Sequence, residues 1–359
     1  MISRVLRFLY GSAMAAPAVA IVIAWALVAL TGGDATEAIG QMVVGAVGDI
    51  PEAVRQAVTE GRFAVPNELL RSLAKATPLI LTGLGVALGL RGGLFNIGAE
   101  GQLMLGALLA AWVGFAWHGL PTWIHLPVAL VCGAFAGACW AAIAGALKAW
   151  RGAHEVIVTI MLNYVAILIT HWLVTGALRD PTSMAPATPQ VLRSARLWAV
   201  EGGANFSAGF ALAMAAVPLV GFLIHRTAVG FEIRAVGHNP AAARAAGIHV
   251  ERVTVLVMAM SGALAGLAGA IEVLGVHRRF LDAFSPGYGF DSIAVALLGN
   301  LRPIGVAAAA FLFGGLGSGA VQMEAFTGTP RQVAGIIQAI VILAVAVRAS
   351  AMLRRSRNQ

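Results

Sequence analysis

Apolar residues in this chain fall into long unbroken blocks, with neither the alternation of a strand nor the single stripe of a soluble helix. A helix needs about 20 apolar residues to cross the hydrocarbon core of a bilayer. Ten blocks approach that length: Phe8–Gly33, Leu73–Leu90, Phe95–Trp117, Leu126–Trp150, Val156–Leu178, Ala208–His225, Val253–Gly275, Gly289–Leu301, Ile304–Met323 and Ile336–Ala351. The pattern predicts an all-α polytopic membrane protein of about ten transmembrane helices. The eighth block is short and is bounded by glycines, Asp291 and Pro303. It reads as a half-helix or re-entrant segment, which a membrane tolerates only when it is buried in protein.

Two polar stretches interrupt the blocks. Asp34–Glu68 holds six acids and two arginines, with room for a short amphipathic helix around Ile50–Val58. Arg179–Asn205 carries Pro181, Pro186 and Pro189, which argue against regular structure. The first block follows Arg4 and Arg7 and contains Ala15, Ala16 and Ala18, as a signal peptide would, but it is too long for a typical apolar signal region. An uncleaved first helix is expected. The chain therefore divides into residues 1–68, a first transmembrane helix with an external polar segment, and residues 69–359, the core.

Composition sharpens this picture. Of the 359 residues 59% are apolar and 11% charged, against about 25% charged in soluble domains. That excludes an ordinary soluble enzyme or a disordered chain. The net charge of +8 comes from arginines scattered between apolar blocks, a distribution that fits loops facing an anionic leaflet and argues against nucleic acid as a partner. With both termini cytoplasmic, the inner segments hold fourteen basic residues and only three acids, Glu155, Glu232 and Glu251. The positive-inside rule then sets the orientation.

Several chemistries lack their residues. The only lysines, Lys75 and Lys148, do not follow a glycine, so no phosphate-binding Gly-x-x-x-x-Gly-Lys loop exists. No second histidine completes a zincin motif after His154-Glu155, and no Gly-x-Ser-x-Gly elbow occurs. Cys132 and Cys139 are seven apart in one apolar block, about 10 Å along a helix axis, too far for a disulfide. No cofactor or metal is expected on this chain, and no enzymatic activity.

Three segments carry information. Gly92–Gln102 puts four glycines and the polar Asn96, Glu100 and Gln102 at the start of an apolar block. A carboxylate inside the bilayer costs about 2.5–3.5 kcal/mol on insertion scales, so this segment reads as a broken helix that caps itself or as the lining of a pathway. If Phe95–Gly106 is helical, Asn96 and Glu100 share a face. Asn163 is a further polar residue within an apolar block, and Asp291 lies with Gly287 and Gly289 at the mouth of the eighth. Asn96, Glu100, Gln102, Asn163 and Asp291 are the candidate path residues.

The second segment is the loop 226–252. Asn239-Pro240 is a helix start, Ala241–Ala246 a short Ala-rich run, and Gly247 its stop. So short a helix is unstable alone, which predicts docking on headgroups or on a soluble partner. Its candidate docking residues are Gly230, Phe231, Arg234, Gly237, Asn239, Pro240, Arg244 and Gly247. The third segment is Gly287–Gly305. Elsewhere, Gly133/Gly137, Gly262/Gly266 and Gly315/Gly319 have the spacing of close helix packing.

Together, GLFNIGAEGQLMLG at Gly93–Gly106, EVIVTIMLNYVA at Glu155–Ala166, GFEIRAVGHNPAAARAAGI at Gly230–Ile248, Met260–Gly275 and Gly287–Val306 resemble the permease subunits of ABC importers of the branched-chain amino acid and ribose type. The likeness spans roughly residues 70–350. It is nearest to the subgroup paired with nucleoside-binding lipoproteins of the basic membrane protein family. Ser292, where many relatives have Gly, and Leu301-Arg302 before Pro303 depart from the pattern.

The resemblance implies an ATP-driven importer in the bacterial cytoplasmic (inner) membrane, with this chain as a permease core carrying a cytoplasmic coupling loop at 226–252. Its implied partners are a cytoplasmic ATP-binding subunit that holds the ATP, a second, non-identical permease, an extracytoplasmic solute-binding lipoprotein and membrane lipid. Purine nucleosides are the implied solutes, with sugars or other nucleobase-like solutes as alternatives. A different class, a self-sufficient secondary transporter, would instead use Glu100, Glu272 and Asp291 to bind a coupling ion.

Overall fold

The computed structural model describes residues 34–49, 65–200 and 204–340, together with positions 25, 28, 51, 55 and 59. The expected first span, Phe8–Gly33, the helix around Ile50–Val58 and both termini lie essentially outside the described residues. Among those described, the chain is helical with no strands, and two isolated antiparallel bridges, Ala187–Leu281 and Ala199–Ser207, are its only extended pairings.

The helices are α1 (Ala35–Val47), α2 (Asn67–Arg91), α3 (Ala99–Ala116), α4 (Thr122–Arg151), α5 (Glu155–Thr175), α6 (Gly209–Arg226), α7 (Ala228–His238), α8 (Pro240–Ala245), α9 (Val250–Ile271), α10 (Tyr288–Leu298) and α11 (Pro303–Thr327). Residues 332–340 are also helical. Seven of these elements are long and apolar enough to cross a membrane: α2, α3, α4, α5, α6, α9 with the turn that follows it, and α11. The eighth block, Gly289–Leu301, is the 11-residue α10, about 16 Å long at 1.5 Å per residue and too short to cross, in keeping with its reading as a half-helix.

The described residues form two compact units, one of those up to 76 with those from 311 onward and one of those in 77–310. In the first, Asp34 caps α1 by accepting from the Thr36 and Glu37 backbone N–H groups at 2.9 and 3.0 Å. The Ser72 hydroxyl donates to the Ala46 carbonyl at 2.6 Å, and Lys75 Nζ donates to the Gly317 carbonyl at 2.7 Å. Gly319 lies against the Met42 backbone.

In the second unit α9 packs along α4 and α3 through small residues. A Cβ on Gly262 or Gly266 would collide with the carbonyl of Gly137 or Gly133 on α4, and Gly269 abuts the Leu103 carbonyl on α3. Without a hydrophobic drive between helices in lipid, such backbone approach supplies the packing. The result is an inner helix, α3, buried almost all round, and outer helices α4 and α5, which expose Phe135, Leu168 and the tryptophans Trp123, Trp150 and Trp172. Exposed tryptophans at span ends are typical of membrane interfaces.

Two irregularities position the site. At the end of α2, Gly93 adopts φ +73° and the Leu94 N–H reaches back to the Gly89 carbonyl at 2.9 Å, so the chain breaks before α3 begins. After α9, residues Glu272–His277 form a π turn that stops at Arg278, φ +57°. Among the described residues of Arg179–Asn205 there is one 3₁₀ turn, Arg193–Ala195. The segment is laced to the π turn and the stretch after it by Thr188 N–H to Phe280 O, Val191 N–H to Arg278 O and Leu197 N–H to Leu274 O, at 2.8–3.0 Å.

Candidate translocation path and coupling segment

The broken α2–α3 connection is held by buried amides. Helix α3 begins at Ala99, so Asn96 lies in the preceding loop, and the expected helical register of Asn96 with Glu100 does not form. Asn96, 0% exposed, donates to Gln102 Oε1 and to Ser261 Oγ of α9, both at 2.9 Å. Its Oδ1 accepts from the Gly98 N–H at 2.9 Å and from Gln102 Nε2 at 3.0 Å. Asn163 of α5, 2% exposed, accepts from the Gly101 N–H and donates to the Ile97 carbonyl, both at 2.8 Å. Thr159 accepts from the Ile97 N–H at 3.3 Å. The first N–H groups of a helix have no partner within it, and here side chains from α5 and the loop supply one. All three amides are occupied within the chain. Gly101 is required here, since a Cβ would lie 3.0 Å from Asn163 Oδ1 and 2.9 Å from Ala166.

Glu100 faces another way. Its Oε2 accepts from the Gly289 N–H of α10 at 2.7 Å, so a carboxylate on one helix caps the N-terminus of the short one. Gly289 is pressed against the Glu100 backbone where no Cβ fits, and Ser292 donates to the Gly289 carbonyl at 2.6 Å. Asp291, in the first turn of α10, is half-buried and within electrostatic reach of Glu100. Tyr288 lies in the field of Glu100, Glu272 and Asp291 together.

Sequence reasoning missed part of this neighbourhood. Glu272, 4% exposed, opens the π turn and lies 3.7 Å from His277 Nε2. The His277 ring packs edge-on against Phe284 at 5.4 Å, and Phe284 against Phe280 at 5.3 Å. Glu272 enters the sequence reading only as a possible ion ligand, Tyr288 only as part of the Gly287–Gly305 segment, and His277 and Phe284 not at all. An acid inside an apolar block is the one signal that marks the place. The π turn, which gathers the aromatics, leaves no pattern in the sequence. Carboxylates, a phenol and aromatic faces around a helix N-terminus can hydrogen-bond and stack a flat polar solute. Among the described residues no cluster of His, Cys, Asp and Glu suits a metal ion.

In the loop after α6 the short helix α8 forms where its sequence predicts, but it follows the 11-residue α7, which the sequence reading did not contain. Asn239 caps α8 through Oδ1, accepting from the Ala241 and Ala242 N–H groups at 3.0 and 3.1 Å, with Pro240 in the first turn. Gly247, φ +87°, ends it. Most of α8 is exposed, Phe231 on α7 is 59% exposed, and Arg244 pairs with Glu251. Gly230 and Gly237 serve packing: a Cβ on the first would overlap the Leu223 carbonyl, and on the second the Arg91 carbonyl. A Cβ built on Gly93 would lie 3.2 Å from Gly237 Cα. Helix α7, which carries α8, therefore rests directly on the α2–α3 break.

The family described as "Branched-chain amino acid transport system / permease component" matches residues 68–346. The chain belongs to this permease family. Among curated relatives, the guanosine ABC transporter permease protein NupP of Bacillus subtilis is 43% identical over 81% of this chain and 84% of its own length. The glucose ABC transporter permease protein TsgB13 of Haloferax volcanii is 39% identical over 77% and 75%. The nucleoside ABC transporter permease protein NupB of Lactococcus lactis is 34% identical over 76% and 77%. No solved structure matches significantly. A multi-pass membrane protein and transport subunit of this family follows from the match and the seven apolar helices.

Proposed function

We propose that this chain is the membrane-spanning permease of an ATP-driven ABC importer and forms part of the path for purine nucleosides. The observation that carries the solute is the 43% identity to a guanosine permease across about four-fifths of both chains.

The path runs along the α2–α3 break and the N-terminus of α10. Asn96, Gln102 and Asn163 hold the shape of the break, while Glu100 and Asp291 form the polar edge, with Glu272 and Tyr288 beside them. Ribose hydroxyls and base N–H groups are donors, which suits carboxylate acceptors. Weak binding is enough, because a separate solute-binding lipoprotein supplies the affinity.

ATP hydrolysis belongs to a cytoplasmic subunit on which α8 is seated. The exposure of that short helix and its support through Gly237 on the break favour this reading. A second permease completes the path. Arg226, Arg234, Arg244 and Arg252 around α8 favour its face as the inner one in a bacterial cytoplasmic membrane, with both termini on that side.

The test is accumulation of labelled guanosine in cells carrying the transporter, with competitors at equal concentration. Inosine and adenosine should block uptake, and glucose and leucine should not. Competition by glucose without guanosine accumulation would instead assign the path to sugars, the solute named for TsgB13.

A further inference from the structure

Three arginines converge where α7 meets the end of α2. Arg91 is the last residue of α2, and its Nε donates to the Leu301 carbonyl at 2.9 Å. That carbonyl is presented by two consecutive left-handed residues, Asn300 (φ 52°) and Leu301 (φ 55°). Strained backbone of this kind persists only where its surroundings hold it. Arg302 follows directly. Arg234 comes from α7, one turn before Gly237, whose backbone touches the Arg91 carbonyl. Arg91 lies within electrostatic reach of both Arg234 and Arg302.

Among the described residues none of the three forms an ion pair. Glu232, two positions before Arg234 on α7, forms none either. Arg234 Nη1 is buried without a hydrogen-bond partner. A buried donor left unpaired costs about 1–3 kcal/mol, more when charged, and three like charges add repulsion. Such a cluster lacks an anion.

We propose that Arg91, Arg234 and Arg302 form a binding site for a phosphate group, that of an anionic phospholipid headgroup in the leaflet beside α8. Guanidinium forks match phosphate oxygens in pairs of parallel hydrogen bonds. The site lies at the end of an apolar span, the depth at which headgroup phosphates sit. The occupant ties α7, the end of α2 and the 299–302 turn together. Binding is claimed independently of what the protein transports; only its effect on coupling rests on the function proposed above.

The test uses the full chain in its assembled complex, in phosphatidylcholine nanodiscs with and without phosphatidylglycerol. Readouts are the thermal midpoint and lipid adducts retained in native mass spectrometry after release. Wild type should retain phosphatidylglycerol and melt higher with it. Arg234→Gln and the exposed Arg302→Gln should each weaken retention about tenfold, as expected for loss of one charge-assisted contact. Arg151→Gln, an exposed arginine at the end of α4 outside the cluster, should change nothing. Because Arg302 is exposed, its variant reads the site even where Arg234→Gln fails to fold. Equal loss with Arg151→Gln would show general surface charge and overturn the site. Inorganic phosphate that raises the midpoint as much as the lipid does would overturn the lipid assignment. Adducts present on the isolated chain but absent from the assembled complex would assign the arginines to a carboxylate of a partner subunit and overturn the proposal.

Discussion

The Glu100 carboxylate accepts the backbone N–H of Gly289 at 2.7 Å, across 189 positions of sequence. It makes the start of one membrane helix the cap of another that is too short to span. Glu100→Ala leaves that buried N–H without a partner, at a cost of about 1–3 kcal/mol. Thermal unfolding in detergent should shift down and uptake should fall sharply. Glu100→Gln keeps an oxygen acceptor, so stability should stay near wild type. A matching loss of stability in both variants would mean that the charge, and not the hydrogen bond, holds α10.

Asn163 distinguishes a support from a solute contact. Its amide pairs with Gly101 N–H and Ile97 O at 2.8 Å, and Asn163→Ala strands both. The variant should lose stability by about 1–3 kcal/mol, with lower uptake following from it. Uptake lost at unchanged thermal stability would place Asn163 in direct contact with solute.

Gly237 offers a way into coupling. A Cβ there overlaps the Arg91 carbonyl, so Gly237→Ala must displace α7 from the α2–α3 break. The complex should still assemble and hydrolyse ATP, with the stimulation by loaded binding protein lost. Gly247→Ala meets open space but a φ of +87°, and should cost about 1 kcal/mol locally, with stimulation kept. Normal stimulation in Gly237→Ala would remove α7 as the link.

Much of this was legible in the residues. Apart from the short Gly289–Leu301, the long apolar blocks between Leu73 and Met323 gave the seven spans to within a few residues, because in lipid a helix must satisfy its own backbone. Asn239, Pro240 and Gly247 marked both ends of α8, since capping is local chemistry. The partners of Asn96 were not legible. Gln102 and Ser261 are brought to it by a loop and by a helix 165 positions away, and only the folded packing of α9 against α3 decides that. The π turn at Glu272–His277 escaped for the same reason.

The proposed orientation rests on the arginines and has a direct check. In a background of Cys132→Ala and Cys139→Ala, a cysteine replacing the exposed Met184 should react with an impermeant maleimide on intact spheroplasts. One replacing Ala246 after α8 should react only once the membrane is opened. Reaction of both from the same side would overturn the arrangement of spans between them.

Nucleotide-dependent uptake is the most direct measurement. Labelled guanosine would be presented, with the binding protein, to proteoliposomes holding the assembled complex, with ATP or ADP enclosed on the side of α8. Saturable accumulation with ATP, absent with ADP and unaffected by collapsing ion gradients, is the expected result. Accumulation driven by an imposed proton or sodium gradient without nucleotide would contradict it, and would return Glu100, Glu272 and Asp291 to the role of ion ligands.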